Sequence, residues 1–140
     1  MLIVGVIVFL ASILAWRNGG EMLRGMLIPL GVIVLISTGY GGLMQVTRPA
    51  HATAFAQRYQ QDPEGAKAVE IARVENDCTN YRMMNFIWST ICIAGIALIF
   101  LAGSGTWKGV ALGLILLSSV GFVADNFLHH RAKAYLKAIA

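Results

Sequence analysis

Four stretches of the chain, 1–16, 25–45, 83–102 and 109–128, carry almost no charge, and the polar residues gather between them. The last is the clearest: its twenty residues reach about 30 Å as a helix, the thickness of a bilayer's hydrocarbon core. In lipid each stretch can satisfy its own backbone only as a helix, because an unpaired N–H or C=O there costs several kcal/mol. The short apolar/polar alternation of a membrane β-barrel is absent. The pattern therefore predicts an all-α integral membrane protein, a four-transmembrane-helix bundle of one domain over residues 1–140.

The flanks mark interfaces and turns. Trp16-Arg17 and Trp107-Lys108 each place an aromatic ring at headgroup level beside a cation that reaches outward. Gly19-Gly20 and Gly103-Ser104-Gly105 are turn signals. Pro29 falls near the start of the second span, where a missing N–H costs least. Ser37, Thr38, Gly39, Gly41 and Gly42 make that span's second half slender, a feature of close helix packing.

Residues 46–82 are the one long polar section. Thr47-Arg48-Pro49 reads as a new helix start, after which Ala52, Phe55, Ala56 and Tyr59 share a face. Asp62-Pro63-Glu64 is a second start: an acidic cap, proline at the first position and negative charge on the helix dipole. Ala68, Ile71, Val74, Cys78 and Tyr81 then recur at spacings of three and four, leaving Lys67, Glu70, Arg73, Glu75 and Asp77 for the exposed side. Two short amphipathic helices in a hairpin follow from this. Nothing breaks the pattern from Pro63 to Ala102, so one rod of about 60 Å runs into the third span, unless Thr79-Asn80 caps a separate helix. The tail 129–140 is basic and helix-competent.

Composition sharpens two points. Only 13% of residues are charged, against about 25% in a soluble domain. The net charge of +4 fits basic flanks that set topology and touch anionic lipid, so no nucleic-acid partner is expected. Counting Lys and Arg by side, Arg17, Arg24 and Lys108 face the remainder: Arg48, Arg58, Lys67, Arg73, Arg82, Arg131, Lys133 and Lys137. Eight against three puts both termini and the hairpin in the cytoplasm, as expected of a bacterial inner-membrane protein. Cys78 and Cys92 lie fourteen residues apart on one predicted helix, about 20 Å by helical rise, too far for a disulfide.

The halves of the chain resemble each other. Gly5 with Phe9-Leu10-Ala11 aligns with Gly95 and Phe100-Leu101-Ala102, Arg24-Gly25 with Lys108-Gly109, and Gly39-Tyr40 with Gly121-Phe122. A two-helix duplication gives this pattern, and so does the general likeness of apolar helices with aromatic ends. A true duplication relates the halves by an axis along the membrane normal.

Candidate chemistry collects at one end of the bundle. Arg48 and His51 leave the second span, Arg82 and Asn85 enter the third, and Asp125, Asn126, His129 and His130 leave the fourth. A carboxylate at membrane depth needs a partner, so Asp125 is expected to pair with Arg82, or to accept from Asn85 or a histidine, clasping helix three to helix four. A sharper reading is a metal or proton site of Asp125 and His129, four apart on one face, with His51, Asp77 or Cys78 as a third ligand. No H-E-x-x-H or C-x-x-C motif accompanies it, no phosphate loop is present, and no cofactor is expected. Gly39 and Gly42 on helix two, with Gly109, Gly113 and Gly121 on helix four, predict close packing and subunit contacts, hence a homo-oligomer or a membrane-protein partner. The expected function is non-catalytic, through self-association or partner binding by the glycine faces and the hairpin. The alternatives are a small transporter gated near Asp125 and a membrane-interface enzyme at the polar cluster.

Overall fold

The computed structural model describes residues 2–139, with side chains at all of these except 2–4, 15 and 18. Met1, where the first predicted span begins, and Ala140, which ends the basic tail, lie outside the described residues. The described chain is four α-helices: α1 Leu2–Asn18, α2 Glu21–Gln61, α3 Pro63–Leu101 and α4 Gly105–Ile139. Three of them, α2, α3 and α4, are long and apolar enough to cross a membrane. With 17 residues, α1 is about 25 Å long and falls short of that set.

The polar section is built differently from the predicted pair of short helices. Instead of stopping before Pro49, α2 runs on through Pro29 and Pro49 for 41 residues, about 60 Å. Proline at a first position and proline inside a helix look alike in sequence. Here the helix continues through the break, at a cost of about 3 kcal/mol for the lost bond and ring clash, and just beyond Pro49 His51 meets Glu70 of α3 at 3.1 Å. Hydroxyls support the segment from within: Thr47 Oγ1 donates to the Leu43 carbonyl and Thr53 Oγ1 to that of Pro49, both at 3.0 Å.

The turn between α2 and α3 is the single residue Asp62, in extended conformation. Its Oδ1 accepts from the Gly65 N–H at 3.0 Å, and Pro63 fills the first helical position, as the motif requires. A Cβ at Gly65 would collide with that carboxylate, so glycine leaves room for the cap. Beyond it α3 is unbroken for 39 residues. Thr79 does not cap; its hydroxyl donates to the Glu75 carbonyl at 3.1 Å. Ser104 opens α4, its hydroxyl accepting from the Trp107 N–H at 3.4 Å. The basic tail is the continuation of α4.

Packing runs in the order α1–α2–α4–α3. The most extensive contact is between α3 and α4, then between α2 and α4, and among the described residues α1 touches α2 alone. A small core of Leu30, Ile33, Trp88 and Leu117, with Val8, Met26 and Met84 around it, holds the three long helices. Outside it, Ile28, Leu35, Phe86, Ile93, Phe100 and Val123 stand more than two-thirds exposed. Contiguous apolar surface of this kind is costly in water and costs nothing in lipid.

Glycine sets the spacing. A Cβ at Gly109 would run into the Met22 carbonyl, and one at Gly25 into the Thr106 carbonyl. Each helix therefore lies against the backbone of the other, through a contact that is reciprocal. Deeper, Gly113 faces Pro29 at 2.7 Å and Gly121 faces the Trp88 ring at 2.5 Å, measured from an added Cβ. These contacts are internal. Gly39 and Gly42, by contrast, meet nothing within 4 Å.

Candidate functional site

Because α2, α3 and α4 each exceed the bilayer's thickness, and the turns at 19–20 and 102–104 lie at one end, all three overshoot at the other. The polar residues singled out in the sequence meet there. Asp125 is not paired with Arg82. Its Oδ2 accepts from the indole Nε1–H of Trp88 at 2.6 Å, about 9 Å further along α3 than Arg82, and Arg82 is exposed. Beside this bond, Asn85 and Asn126 face each other with mutual amide contacts at 3.4 Å. Asn126 also donates to the Phe122 carbonyl at 2.9 Å. The clasp between helices three and four is thus present, with tryptophan as the donor. In the sequence Trp88 gives no sign of this role, because a tryptophan in an apolar run reads as packing.

The candidate metal ligands are directed elsewhere. His129 lies edge-on to the Tyr81 ring at 6.2 Å, and its buried Nδ1 has no hydrogen-bond partner among the described residues. Burial, with Lys133, His130 and Arg82 nearby, lowers its pKa. His51 Nε2 lies 3.1 Å from Glu70 Oε2. Among the described residues no group of three or more His, Cys, Asp or Glu side chains is placed to hold a metal ion.

Glu70 is the second departure. It was expected on the exposed face, yet it is only 4% exposed. Ala66, Glu70 and Val74 form the inward side of α3, rotated from the predicted apolar stripe. The reason is pairing: Glu70 takes two hydrogen bonds from Arg73, Nη2 to Oε1 at 2.6 Å and Nε to Oε2 at 3.1 Å. Arg73 Nη1 continues to Asp77 at 3.2 Å. The Arg73 hydrogen bonds hold the Glu70 carboxyl below its ordinary range against the opposing effect of burial, and the Arg73 pKa rises in return. Such a bidentate pair satisfies a buried carboxylate geometrically and electrostatically. The i, i+3 spacing was the one available signal, and it is equally common on solvated faces.

Two cavities meet at this end. An apolar one of about 380 Å³ lies between α2, α3 and α4 and reaches Ser37, Trp88 and Asp125. A polar cleft of about 830 Å³ lies beyond it, lined by Arg48, His51, Glu70, Arg73, Asp77 and Arg131 among others. Tyr40, Tyr81 and Leu128 line both. Burial, with Tyr40, Asp77 and Asp125 nearby, pushes the Tyr81 phenol up to about 12. The hydroxyls of Ser118 and Ser119 return to the Ile115 carbonyl of their own helix at 2.9 and 2.8 Å, and Cys78 and Cys92 are free thiols.

No protein-family model matches the chain, and comparison with curated proteins and with solved structures yields no match either.

Proposed function

We propose that the chain is a small polytopic protein of the bacterial inner membrane that works by association, through a bare face of α2, rather than by catalysis. In this reading α1 is the fourth span, lying on α2, and the basic flanks keep both termini and the 46–82 arms in the cytoplasm. The observation that carries it is the contrast between glycines. Gly25, Gly109, Gly113 and Gly121 are consumed by contacts within the chain, whereas Gly39 and Gly42 lie open on α2, with Leu35, Leu43 and Val46 exposed nearby. Small residues in lipid permit backbone approach where no hydrophobic force brings helices together. A second copy or another membrane helix fits there. The polar groups of the same end support this view, since Asp125, His51 and Glu70 are engaged in interhelical contacts.

The reciprocal Gly25 and Gly109 contacts favour an internal duplication, because an axis along the membrane normal exchanges them. Gly5 and Gly95 fit it less well: Gly5 meets Ser37 and Thr38 deep on α2, while Gly95 meets Ala111 and Ile115 near the start of α4.

The test is copy number in lipid. Native mass spectrometry of gently extracted protein should give an oligomer, and Gly39→Leu with Gly42→Leu should dissociate it while leaving the fold intact. A protein that is monomeric and partner-free before substitution would end this reading.

A further inference from the structure

We infer that the two cavities together form a binding site for one lipid with an anionic phosphate headgroup, the acyl chain between the helices and the phosphate in the polar cleft. The inference stands whether or not the chain self-associates. The volumes, about 380 and 830 Å³, both fall in the range of roughly 300–1,000 Å³ typical of small-ligand sites. They differ in chemistry along one axis, as an amphiphile does. The inner cavity is walled by side chains such as Ile33, Ile36, Met84 and Leu117. The outer one opens where the helices leave the span.

Charge decides the headgroup. Both carboxylates of the cleft are already engaged: Glu70 with Arg73 and His51, and Asp77 with Arg73. Arg48 and Arg131 also line it, and neither makes an ion pair among the described residues. Each lies three residues past the end of its apolar stretch, Gln45 or Leu128, and so sits at headgroup depth. Three guanidiniums against two carboxylates leave the cleft with one net positive charge, and Arg48 and Arg131 (the latter over the Phe127 ring at 5.9 Å) stand outside its ion pairs, which makes a phosphate site, since guanidinium forks match phosphate oxygens. Tyr40 and Tyr81, at the junction of the cavities, are suited to the boundary between tail and headgroup, their rings apolar and their hydroxyls polar.

A diffuse attraction between basic flanks and anionic lipid would also concentrate such lipids here, but without stoichiometry and without dependence on the inner cavity. The experiment is therefore a titration of the detergent-extracted full chain with dioleoyl phosphatidylglycerol and with dioleoyl phosphatidylcholine, read by native mass spectrometry. Inorganic phosphate is added as competitor. One saturable phosphatidylglycerol per protomer is expected, bound at least tenfold more tightly than phosphatidylcholine and not displaced by millimolar phosphate. Arg48→Gln and Arg131→Gln should each weaken it on the order of tenfold, by loss of a hydrogen bond to a charged group. Ala124→Phe, which fills the inner cavity without altering charge, should weaken it too. Arg48→Lys with Arg131→Lys keeps the charge and should retain part of the affinity, and a matched thermal unfolding scan confirms that each variant is folded. Unsaturable uptake, equal affinity for both lipids, undiminished binding by the double glutamine variant, or full displacement by free phosphate would each overturn the inference.

Discussion

Trp88 and Asp125 are the most consequential pair in the fold, because one hydrogen bond at 2.6 Å joins α3 to α4 beside the main core. Removing the donor with Trp88→Phe leaves a carboxyl oxygen without its partner and withdraws the ring that lies against Gly121. Hydrogen bonds contribute about 0.5–1.5 kcal/mol in general and about 1.5–3 where a charged group takes part. Double-mutant cycles between membrane helices are smaller, averaging about 0.6 and reaching about 1.7 kcal/mol. A short bond to a carboxyl oxygen from a buried indole belongs near the upper end, so the coupling should be about 1–2 kcal/mol. Trp88→Phe alone should cost about 2–3 kcal/mol, with the lost ring volume added to the bond. Asp125→Asn should cost under about 1 kcal/mol, because the amide oxygen still accepts. The assay is reversible unfolding in mixed micelles for wild type, Trp88→Phe, Asp125→Leu and the double variant, followed by circular dichroism. Additivity within about 0.3 kcal/mol would show that the two residues do not act as a pair, and the clasp would lose its basis.

Gly109→Leu should prevent α2 and α4 from closing and should abolish recovery of folded protein, as judged by gel filtration, because its Cβ meets backbone. Glu70 is depressed by Arg73, so its contribution is present above the ordinary carboxylate pKa and is lost as pH falls through the folded value. Glu70→Gln should flatten the acid side of a stability–pH curve below about pH 4.5. His129 is also depressed, so stability falls as pH drops below about 6.5, and His129→Gln should remove that slope. Tyr81, pushed up to about 12, favours the folded state below the ordinary phenol pKa, an advantage lost as pH rises from about 10 through the folded value. Absorbance titration near 295 nm of wild type against Tyr81→Phe should show the missing phenol only in that high range.

Where the sequence was legible, one physical period dominated. Apolar runs without charge marked the spans, and Asp62-Pro63 marked its turn because cap, proline and dipole all agree there. Pro49 misled because the signal for starting a helix is the same whether or not a helix is already running. Glu70 misled for a related reason: a charge at a helical position reads as exposed until its partner is seen, and Arg73 lies on the same helix at a spacing that needs no burial. Trp88 as the donor to Asp125 was out of reach, since the pair is 37 residues apart and only the crossing of α3 on α4 brings it together. The glycine ladder signals close helix packing, but which glycines face inward depends on helix rotation. Structure separates Gly113, which meets Pro29, from Gly39, which meets nothing.

The proposed topology threads the helices so that the 46–82 arms and the α4 extension project from the same membrane face. Single cysteines introduced into a chain lacking Cys78 and Cys92 test this most directly: Gln61→Cys at the tip of the arms and Gly103→Cys at the opposite turn, probed in intact cells with an impermeant maleimide. Labelling of Gly103→Cys in intact cells, with Gln61→Cys labelled only after the membrane is opened, is the predicted result. The reverse pattern, or labelling of both from outside, would contradict it.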